Sequence, residues 1–325
     1  MEEFSRSRWQ KVKKMAWWVR QFGIKYGVSM ILLHFTDGRS IKLSSYASKK
    51  IYPFIENYIY GRYKQVFEKY YIKKRDGNGI EKNCPIFMLW WQGIVKCPSI
   101  IKVCVDSVKK NAKEHPVYLI DKYNISSFIE VPEFMLEGVA NKRIELPNFS
   151  DWVRASLLSK YGGYWIDATT IMFDQVDNCF LPETTETEKC VHFWSVKTGL
   201  EQEWCASMGK WSVSYLAAEK GSRLMGLIAE VMQEYFKEHT YAPLYLFLDC
   251  LIRTAYHHNP DLQEQIDDIP INNVDTYKLQ SMINEPYVKE NFPLNGMAKL
   301  NWKAKMKEYT DGILTNYGYI QHKLL

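Results

Sequence analysis

The segment of residues 85–121, PIFMLWWQGIVKCPSIIKVCVDSVKKNAKEHPVYLID, sets the architecture of this protein. A continuous apolar run over residues 85–91 predicts a buried strand, and the apolar spacing over 99–111 predicts a helix. A second apolar run over 116–121 predicts another strand. Strand, helix and strand in that order imply a right-handed crossover between parallel strands. The sequence therefore predicts an α/β fold with a sheet flanked by helices.

The carboxyl ends of these two strands are candidate binding positions, because ligands of parallel sheets bind beyond the strand ends. The first strand leads into Trp90, Trp91, Gln92 and Gly93, and the second strand ends at Asp121. We therefore expect a site at this edge of the sheet. Trp90 has an alternative interpretation as a core residue, as is common for tryptophans in apolar runs.

A polar pair lies on the next predicted helix, within residues 149–170, FSDWVRASLLSKYGGYWIDATT. This helix is predicted to run from about residue 151 to residue 160. Asp151 and Arg154 are three residues apart, so they share one helix face. Together they offer a hydrogen-bond acceptor and a fork of donors to one polar ligand. An ordinary ion pair on the helix surface is the alternative.

Two glycines, Gly162 and Gly163, separate this helix from a further predicted strand over residues 164–167. Glycines allow a tight turn from helix to strand. This turn is expected to bring Asp167, at the carboxyl end of the strand, to the cleft that holds Asp151 and Arg154. Asp167 is the strongest single candidate for a functional acid.

One further acid interrupts an apolar run. Asp249 lies within the sequence YLFLDC of residues 245–250, and an isolated acid in such surroundings needs a partner. It is a candidate catalytic residue near the acceptor or the reacting carbon, with helix packing as the alternative.

The overall composition excludes several classes of protein. The chain has 325 residues, of which 46% are hydrophobic, so it can bury a large core and is neither disordered nor collagen-like. Its seven cysteines are odd in number and form no C-x-x-C pair. This pattern favours reduced thiols over a disulfide framework or a structural zinc site.

The basic charge is concentrated in the first 82 residues. They hold 18 Lys and Arg against 7 Asp and Glu, a balance of +11, whereas the rest of the chain has a balance of −6. Many large aromatic residues accompany these cations, a combination that favours a membrane surface. A helical subdomain packed on the main body is the alternative. The charged, glycine-containing stretch 73–83 predicts a boundary between regions 1–82 and 83–325.

The pattern F-S-D-x-x-R-x-x-x-L-x-K-Y-G-G-x-W-I-D-A-T, which begins at Phe149, resembles the capsular polysaccharide synthesis proteins. These are relatives of glycosyltransferase family 32 and of the sugar-transferring clostridial toxins. The resemblance extends over about residues 84–310, with residues 89–93 (LWWQG) similar to the first-strand motif and 299–303 (KLNWK) to a late one. It implies a GT-A fold, with a Rossmann-like mixed sheet flanked by helices, and a nucleotide-sugar donor.

The resemblance also implies roles for individual residues. Trp90 would stack on the nucleobase, Asp151 and Arg154 would contact the donor sugar, and Asp167 would contact ribose and metal. The full set of implied nucleotide-sugar contacts is Trp90, Gln92, Gly93, Asp151, Arg154, Gly162, Gly163, Asp167, Lys299 and Lys303.

A divalent metal, Mn²⁺ or Mg²⁺, is a further implication of the resemblance. Related transferases carry Asp-x-Asp, but the triplet here is Asp167-Ala168-Thr169, which supplies one carboxylate. Either Asp167 binds the ion with a ligand from elsewhere, for which His322 is a candidate, or Lys299 and Lys303 offset the diphosphate charge directly.

These observations predict a hexosyltransferase that uses a nucleotide sugar, in particular a UDP-sugar. Its acceptor is expected to be a lipid-linked repeat unit of a capsular or surface polysaccharide, and its location the cytoplasmic face of the plasma membrane. Kinship with family 32 suggests retention at the anomeric carbon. The alternatives are a non-catalytic glycan-binding or membrane scaffold protein and a sugar-phosphate transferase. No nucleic-acid-binding pattern is present.

Overall fold

A computed structural model describes residues 2–36, 41–73, 79–180, 193–199, 205–293 and 296–323 of the chain. It begins with two long helices, α1 (Glu2–Thr36) and α2 (Ile41–Lys69). The α/β part follows with β1 (Ile86–Leu89), α3 (Ser99–Asn111), β2 (Val117–Ile120), α4 (Glu133–Ala140), α5 (Leu146–Tyr161), β3 (Gly163–Ile166), β4 (Thr170–Met172), α6 (Val176–Phe180), β5 (Phe193–Ser195) and β6 (Tyr215–Ala218). The carboxyl-terminal part contains α7 (Arg223–Glu238), α8 (Phe247–His258), α9 (Pro260–Asp267), α10 (Lys278–Ser281), β7 (Met297–Lys299), β8 (Tyr309–Thr310), β9 (Ile313–Leu314) and α11 (Asn316–Lys323).

The central sheet has five strands in the order β2-β1-β3-β6-β5. Strand β1 pairs in parallel with β2 and β3, whereas β6 pairs in antiparallel fashion with β3 and β5. The predicted parallel crossover from β1 through α3 to β2 is therefore confirmed. So is the predicted fold class, a mixed sheet flanked by helices with a helical amino-terminal segment.

Two predicted boundaries were displaced. Strand β1 ends at Leu89, so Trp90 and Trp91 lie beyond the strand. Helix α5 begins at Leu146 and not near residue 151, because Pro147 occupies its first turn, where the absent proline N–H is not needed. As a result Asp151 and Arg154 lie in the middle of the helix and not in its first turn. Both residues are buried.

The glycine pair makes the predicted tight turn between α5 and β3. Both residues have positive φ, +68° at Gly162 and +95° at Gly163. A Cβ on Gly163 would lie 2.1 Å from the carbonyl oxygen of Pro85, and one on Gly162 would lie 2.5 Å from the backbone nitrogen of Lys220. Only glycine fits here, because backbone atoms occupy the space that a side chain would need.

The amino-terminal helices pack on the α/β part. Helix α1 breaks at Gly23, where φ is +80°, and its two halves cross so closely that a Cβ on Gly27 would lie 2.5 Å from the Cα of Val19. Trp18 is 1% exposed, and its Nε1 donates to the carbonyl oxygen of Ala242 at 3.1 Å. These contacts place the amino-terminal helices against the α/β part. The exact division at residue 82 stays a prediction, and residues 74–78 of the boundary stretch lie outside the described part.

A buried charged cluster joins α2 to α8. Glu56, which is 8% exposed, accepts hydrogen bonds from Arg253 through Oε1 and from His257 Nδ1 through Oε2, the latter at 2.6 Å. A buried ion pair of this kind is costly to break from one side, by about 3–5 kcal/mol, since the remaining charge is left without compensation. The cluster therefore fixes α8 relative to the amino-terminal helices.

Within the described ranges, no helix combines the length and the apolar composition that crossing a bilayer requires. The second half of α1 nevertheless exposes large apolar side chains, with exposed fractions of 75% at Ile24, 53% at Val28 and 51% at Phe35. Their spacing of four and seven residues places them on one face of the helix.

Candidate functional site

The first side of the site is the edge formed by the carboxyl ends of β1 and β2. The turn after β1 is made possible by Gly93, with φ of +81°, and a Cβ at this position would lie 3.3 Å from Asp121 Oδ2. Asp121 Oδ1 accepts hydrogen bonds from the backbone nitrogens of Tyr123 and Asn124, at 2.8 Å and 3.0 Å. Trp90 therefore follows β1 on a turn that is braced by the end of β2, at the sheet edge where the sequence predicted a site.

The second side of the site is a network of charged side chains between α5 and the end of β3. Arg154 Nη1 donates to Asp151 Oδ1 at 2.6 Å, and Arg154 Nη2 donates to Asp167 Oδ1 at 3.1 Å. The guanidinium group thus bridges the two carboxylates. The three side chains on which the sequence-based hypothesis depends converge at one place, at the same edge of the sheet as Trp90.

Two more donors complete the shell around Asp167. Trp165 Nε1 donates to Asp167 Oδ1 at 2.8 Å, and Lys299 Nζ forms an ion pair with Oδ2. Lys299 reaches this position because β4 pairs with β7 and places Thr170 opposite Lys299. The carboxylate is thus held by donors from three separate parts of the chain.

The electrostatics of the network differ from one acid to the next. Burial alone would raise the pKa of the Asp167 carboxyl, but Lys299 and Arg154 lower it to about 2. Burial raises the pKa of Asp151 to about 7, although Arg154 opposes the increase. The cations therefore favour the ionised form of Asp167, whereas burial favours the protonated form of Asp151. Neighbouring acids whose pKa values are shifted in opposite directions are typical of functional sites.

Asp249 belongs to the same neighbourhood. It lies in the first turn of α8, is 5% exposed, and accepts a hydrogen bond from Trp211 Nε1 at 3.0 Å. Burial raises its pKa to about 6, opposed by the Trp211 hydrogen bond and by the charge of Arg154. The partner that an isolated buried acid requires is thus an indole N–H, supplemented by the guanidinium group of Arg154.

The segment after β7 links the charged network to the tryptophan side of the site. Lys299 pairs with Asp167, and three residues later Trp302 packs edge-to-face against Trp90, with ring centroids 5.4 Å apart. Lys303 Nζ lies 5.3 Å from the centre of the Trp302 ring. Trp90 Nε1 is buried and lacks a hydrogen-bond partner among the described residues. The late motif, residues 299–303, therefore lies beside the first-strand motif, residues 89–93.

Some predicted residues lie elsewhere or have other partners. Gly163 is the first residue of β3, four residues before Asp167 and thus roughly 13 Å from it along the strand, and Gly162 precedes it. The structure does not bring them to the charged network. Their positive φ angles form the turn between α5 and β3 instead. Gln92 is exposed on the turn after β1. His322 lies on α11, where its Nε2 is 3.1 Å from Glu308 Oε2.

The donor set around Asp167 does not fit a divalent cation. Both of its oxygens already accept hydrogen bonds, and two of the three donors are cationic. A metal ion would add positive charge beside Arg154 and Lys299. Among the described residues, no group of three or more His, Cys, Asp and Glu side chains is arranged as a metal site. The arrangement fits the alternative in which lysines offset the charge of a diphosphate.

The sequence interpretation did not include several residues that surround the acids. Trp165 could have been found, since it precedes Asp167 by two positions and alternate residues of a strand share a face. Trp211 carries no local signal for its contact with Asp249. Trp302 belongs to the late motif KLNWK, but its contact with Trp90 has no local signal.

Comparison with known proteins assigns the family. The model of the capsular polysaccharide synthesis protein family matches residues 36–320, most of the chain. The chain belongs to this family, which confirms the resemblance of its motifs and bears out the predicted enzyme class, a glycosyltransferase. Among solved structures, the chain is similar to one named PaToxG Glycosyltransferase, with 15% identity and a TM-score of 0.38 over 71% of this chain and 89% of that one. No curated protein matches the sequence.

Proposed function

We propose that this protein transfers a hexose from a UDP-sugar to a lipid-linked repeat unit of a capsular or surface polysaccharide, with retention at the anomeric carbon. Family membership supports glycosyl transfer in capsule synthesis. The observation that carries the proposal is the network in which Arg154 and Lys299 surround the Asp167 carboxylate, at the sheet edge where Trp90 offers an aromatic surface.

The charges of the network suit a nucleoside diphosphate leaving group. Lys299 has three N–H donors, and its contact with Asp167 engages one of them. The remaining donors, with the exposed Lys303, are proposed to bind diphosphate oxygens and stabilise the negative charge that develops as the sugar departs. Positive side chains would then perform the neutralisation for which many related transferases employ a metal ion.

Arg154 has a positioning role in this scheme. Its side chain is 5% exposed, and each outer nitrogen donates to a carboxylate, so it orients Asp151 and Asp167. The Asp167 side chain is 24% exposed and more accessible than its two partners on α5. We propose that Asp167 accepts a hydrogen bond from a donor hydroxyl group.

Retention requires that the acceptor hydroxyl attacks on the face from which the diphosphate leaves. The bond between the anomeric carbon and the diphosphate oxygen breaks, the bond to the acceptor oxygen forms, and the acceptor proton passes to the departing diphosphate. This route needs no enzymic nucleophile, and positioning and electrostatics supply the acceleration. Asp249 is proposed to lie near the acceptor or the anomeric carbon.

The test is hydrolysis of nucleotide sugars by the purified protein. A panel of UDP-sugars is incubated with the wild type, with Trp90→Leu and with Asp268→Asn, an exposed control on the carboxyl side of α9. Release of UDP is measured by chromatography. We expect one donor to be hydrolysed slowly, with a KM about tenfold higher for Trp90→Leu, since an aromatic contact contributes about 0.5–1.5 kcal/mol beyond burial.

Two other results would contradict the proposal. Release of UMP in place of UDP would indicate a sugar-phosphate transferase. Failure to bind or hydrolyse any nucleotide sugar would favour a non-catalytic scaffold or glycan-binding protein.

Peripheral attachment to the cytoplasmic face of the membrane is the second part of the proposal. The exposed Ile24, Val28 and Phe35 accompany the basic residues of the first 82 positions. Sedimentation with anionic phosphatidylglycerol vesicles tests it. We expect the triple glutamine variant at these positions to lose most binding. A control triple glutamine variant at Ile271, Val274 and Ile313, each of which is more than half exposed, is expected to retain it. Equal binding by the two variants would contradict this surface.

A further inference from the structure

A cavity of about 510 Å³ lies between α1 and the segment that joins α4 to α5. Four of its lining residues, Lys11, Lys14, Met15 and Trp18, are spaced three, four and seven positions apart, so they form one face of α1. The opposite wall includes Lys142 and Ile144. The amino-terminal helices therefore do more than pack on the core, because they complete one wall of a cavity.

The lining combines cations with apolar surface. Lys11 and Lys142 are exposed, whereas Lys14 is 7% exposed, pairs with Glu145 at 2.7 Å and has its Nζ 5.2 Å from the centre of the Trp18 ring. Three lysines against one glutamate give the lining a positive balance. Apolar walls with cations favour an amphiphile that carries an anionic group on a hydrophobic chain.

The cavity is lined in part by segments that also carry residues of the candidate active site. It is lined by Trp91, the residue after Trp90, and by Leu146, the first residue of α5. Asp151 follows Leu146 by five residues, about 7.5 Å along the helix axis. The helix that forms part of the cavity wall therefore also carries Asp151 and Arg154.

We infer that this cavity binds the phosphate-bearing lipid end of the acceptor, a phosphate or diphosphate ester of a long apolar alcohol. The lysines contact the phosphate, and Trp18, Met15 and Ile144 contact the first part of the chain. The sugar carried by the lipid then points toward Asp167 and Asp249. The inference rests on the proposed function, since it assigns the acceptor of that reaction to a site.

The experiment measures ligand binding and needs no turnover. Tryptophan fluorescence of the full chain is titrated with farnesyl diphosphate, which carries both features of the proposed ligand. Farnesol lacks the phosphates, inorganic diphosphate lacks the chain, and dihexanoyl phosphatidylglycerol presents the phosphate of an ordinary membrane lipid. We expect farnesyl diphosphate to bind at least about tenfold more tightly than each of the other three.

Matched variants connect this binding to the cavity. Lys11→Gln with Lys142→Gln removes two lining charges, and Lys13→Gln with Lys109→Gln removes two exposed charges outside the lining. We expect the first pair to weaken farnesyl diphosphate binding about tenfold, and the second to leave it within twofold. Ala140→Phe fills space at the lining without a change of charge and is expected to weaken binding by a similar factor. Thermal unfolding checks that each variant is folded.

Several results would overturn the inference. These are equal binding of farnesol and farnesyl diphosphate, unchanged binding by Ala140→Phe, or equal losses in both lysine pairs. Tight binding of the phosphatidylglycerol with the same sensitivity to variants would assign the cavity to membrane phospholipid and would also overturn it. Lipid binding as expected, without hydrolysis of any UDP-sugar, would refute the proposed function alone.

Discussion

Replacement of Asp249 by asparagine should make the protein more stable at pH 8 but not at pH 4. Burial raises the pKa of this carboxyl from 3.8 to about 6 in the folded protein. A group with a raised pKa favours the folded state fully below pH 3.8, and this contribution is lost as the pH increases through 6. The shift of about two units corresponds to roughly 3 kcal/mol, at 1.36 kcal/mol per unit.

The asparagine amide has a similar shape and does not titrate, and its oxygen can still accept the hydrogen bond from Trp211. The variant and the wild type should therefore have similar free energies of unfolding at pH 4. The variant should exceed the wild type by up to about 3 kcal/mol at pH 8. Asp151 titrates in both proteins, and the repulsion between its charge and that of Asp249 adds to the difference at pH 8.

The assay is urea unfolding of both proteins at intervals between pH 4 and pH 8, with Asp268→Asn as an exposed control. A difference in free energy that changes by less than about 0.5 kcal/mol over this range, as is usual for surface substitutions, would refute the reasoning. It would show that the Asp249 carboxyl is hydrated or compensated by contacts other than those with Trp211 and Arg154.

Two further predictions concern Asp167. Asparagine at this position should reduce hydrolysis of the donor at least about a hundredfold and lower the free energy of unfolding at pH 7 by about 3 kcal/mol, because Arg154 and Lys299 lose their anionic partner. Equal activity and stability in kinetic and urea measurements would remove the residue from the site. Hydrolysis of the UDP-sugar should remain within twofold after treatment with EDTA, since lysines are proposed to neutralise the diphosphate. Loss of activity on chelation with recovery on addition of Mn²⁺ would contradict that proposal.

The parts of this molecule that the sequence predicted are those with a local signal. The apolar period of β1, α3 and β2 identified the crossover, and the three-residue spacing of Asp151 and Arg154 placed both on one helix face. The short path through the glycine turn then brought Asp167 to the same place.

The remainder depends on contacts between distant parts of the chain. Lys299 reaches Asp167 through the pairing of β4 with β7, and no local pattern specifies that register. The antiparallel addition of β6 to β3 was missed for the same reason. The basic aromatic amino-terminal region was ambiguous, because exposed cations beside aromatic residues are expected both of a membrane surface and of a packed helical subdomain.

The cluster of Glu56, Arg253 and His257 couples the position of α8 to that of α2. Arg253 and Asp249 are one turn apart on α8, so the helix that presents an acid to the site is clamped by the amino-terminal region one turn away. A displacement of α2 would therefore be transmitted through α8 to the position of Asp249. Substitutions near residue 56 are therefore expected to change the position of Asp249 at the candidate site, although the two residues lie far apart in the chain.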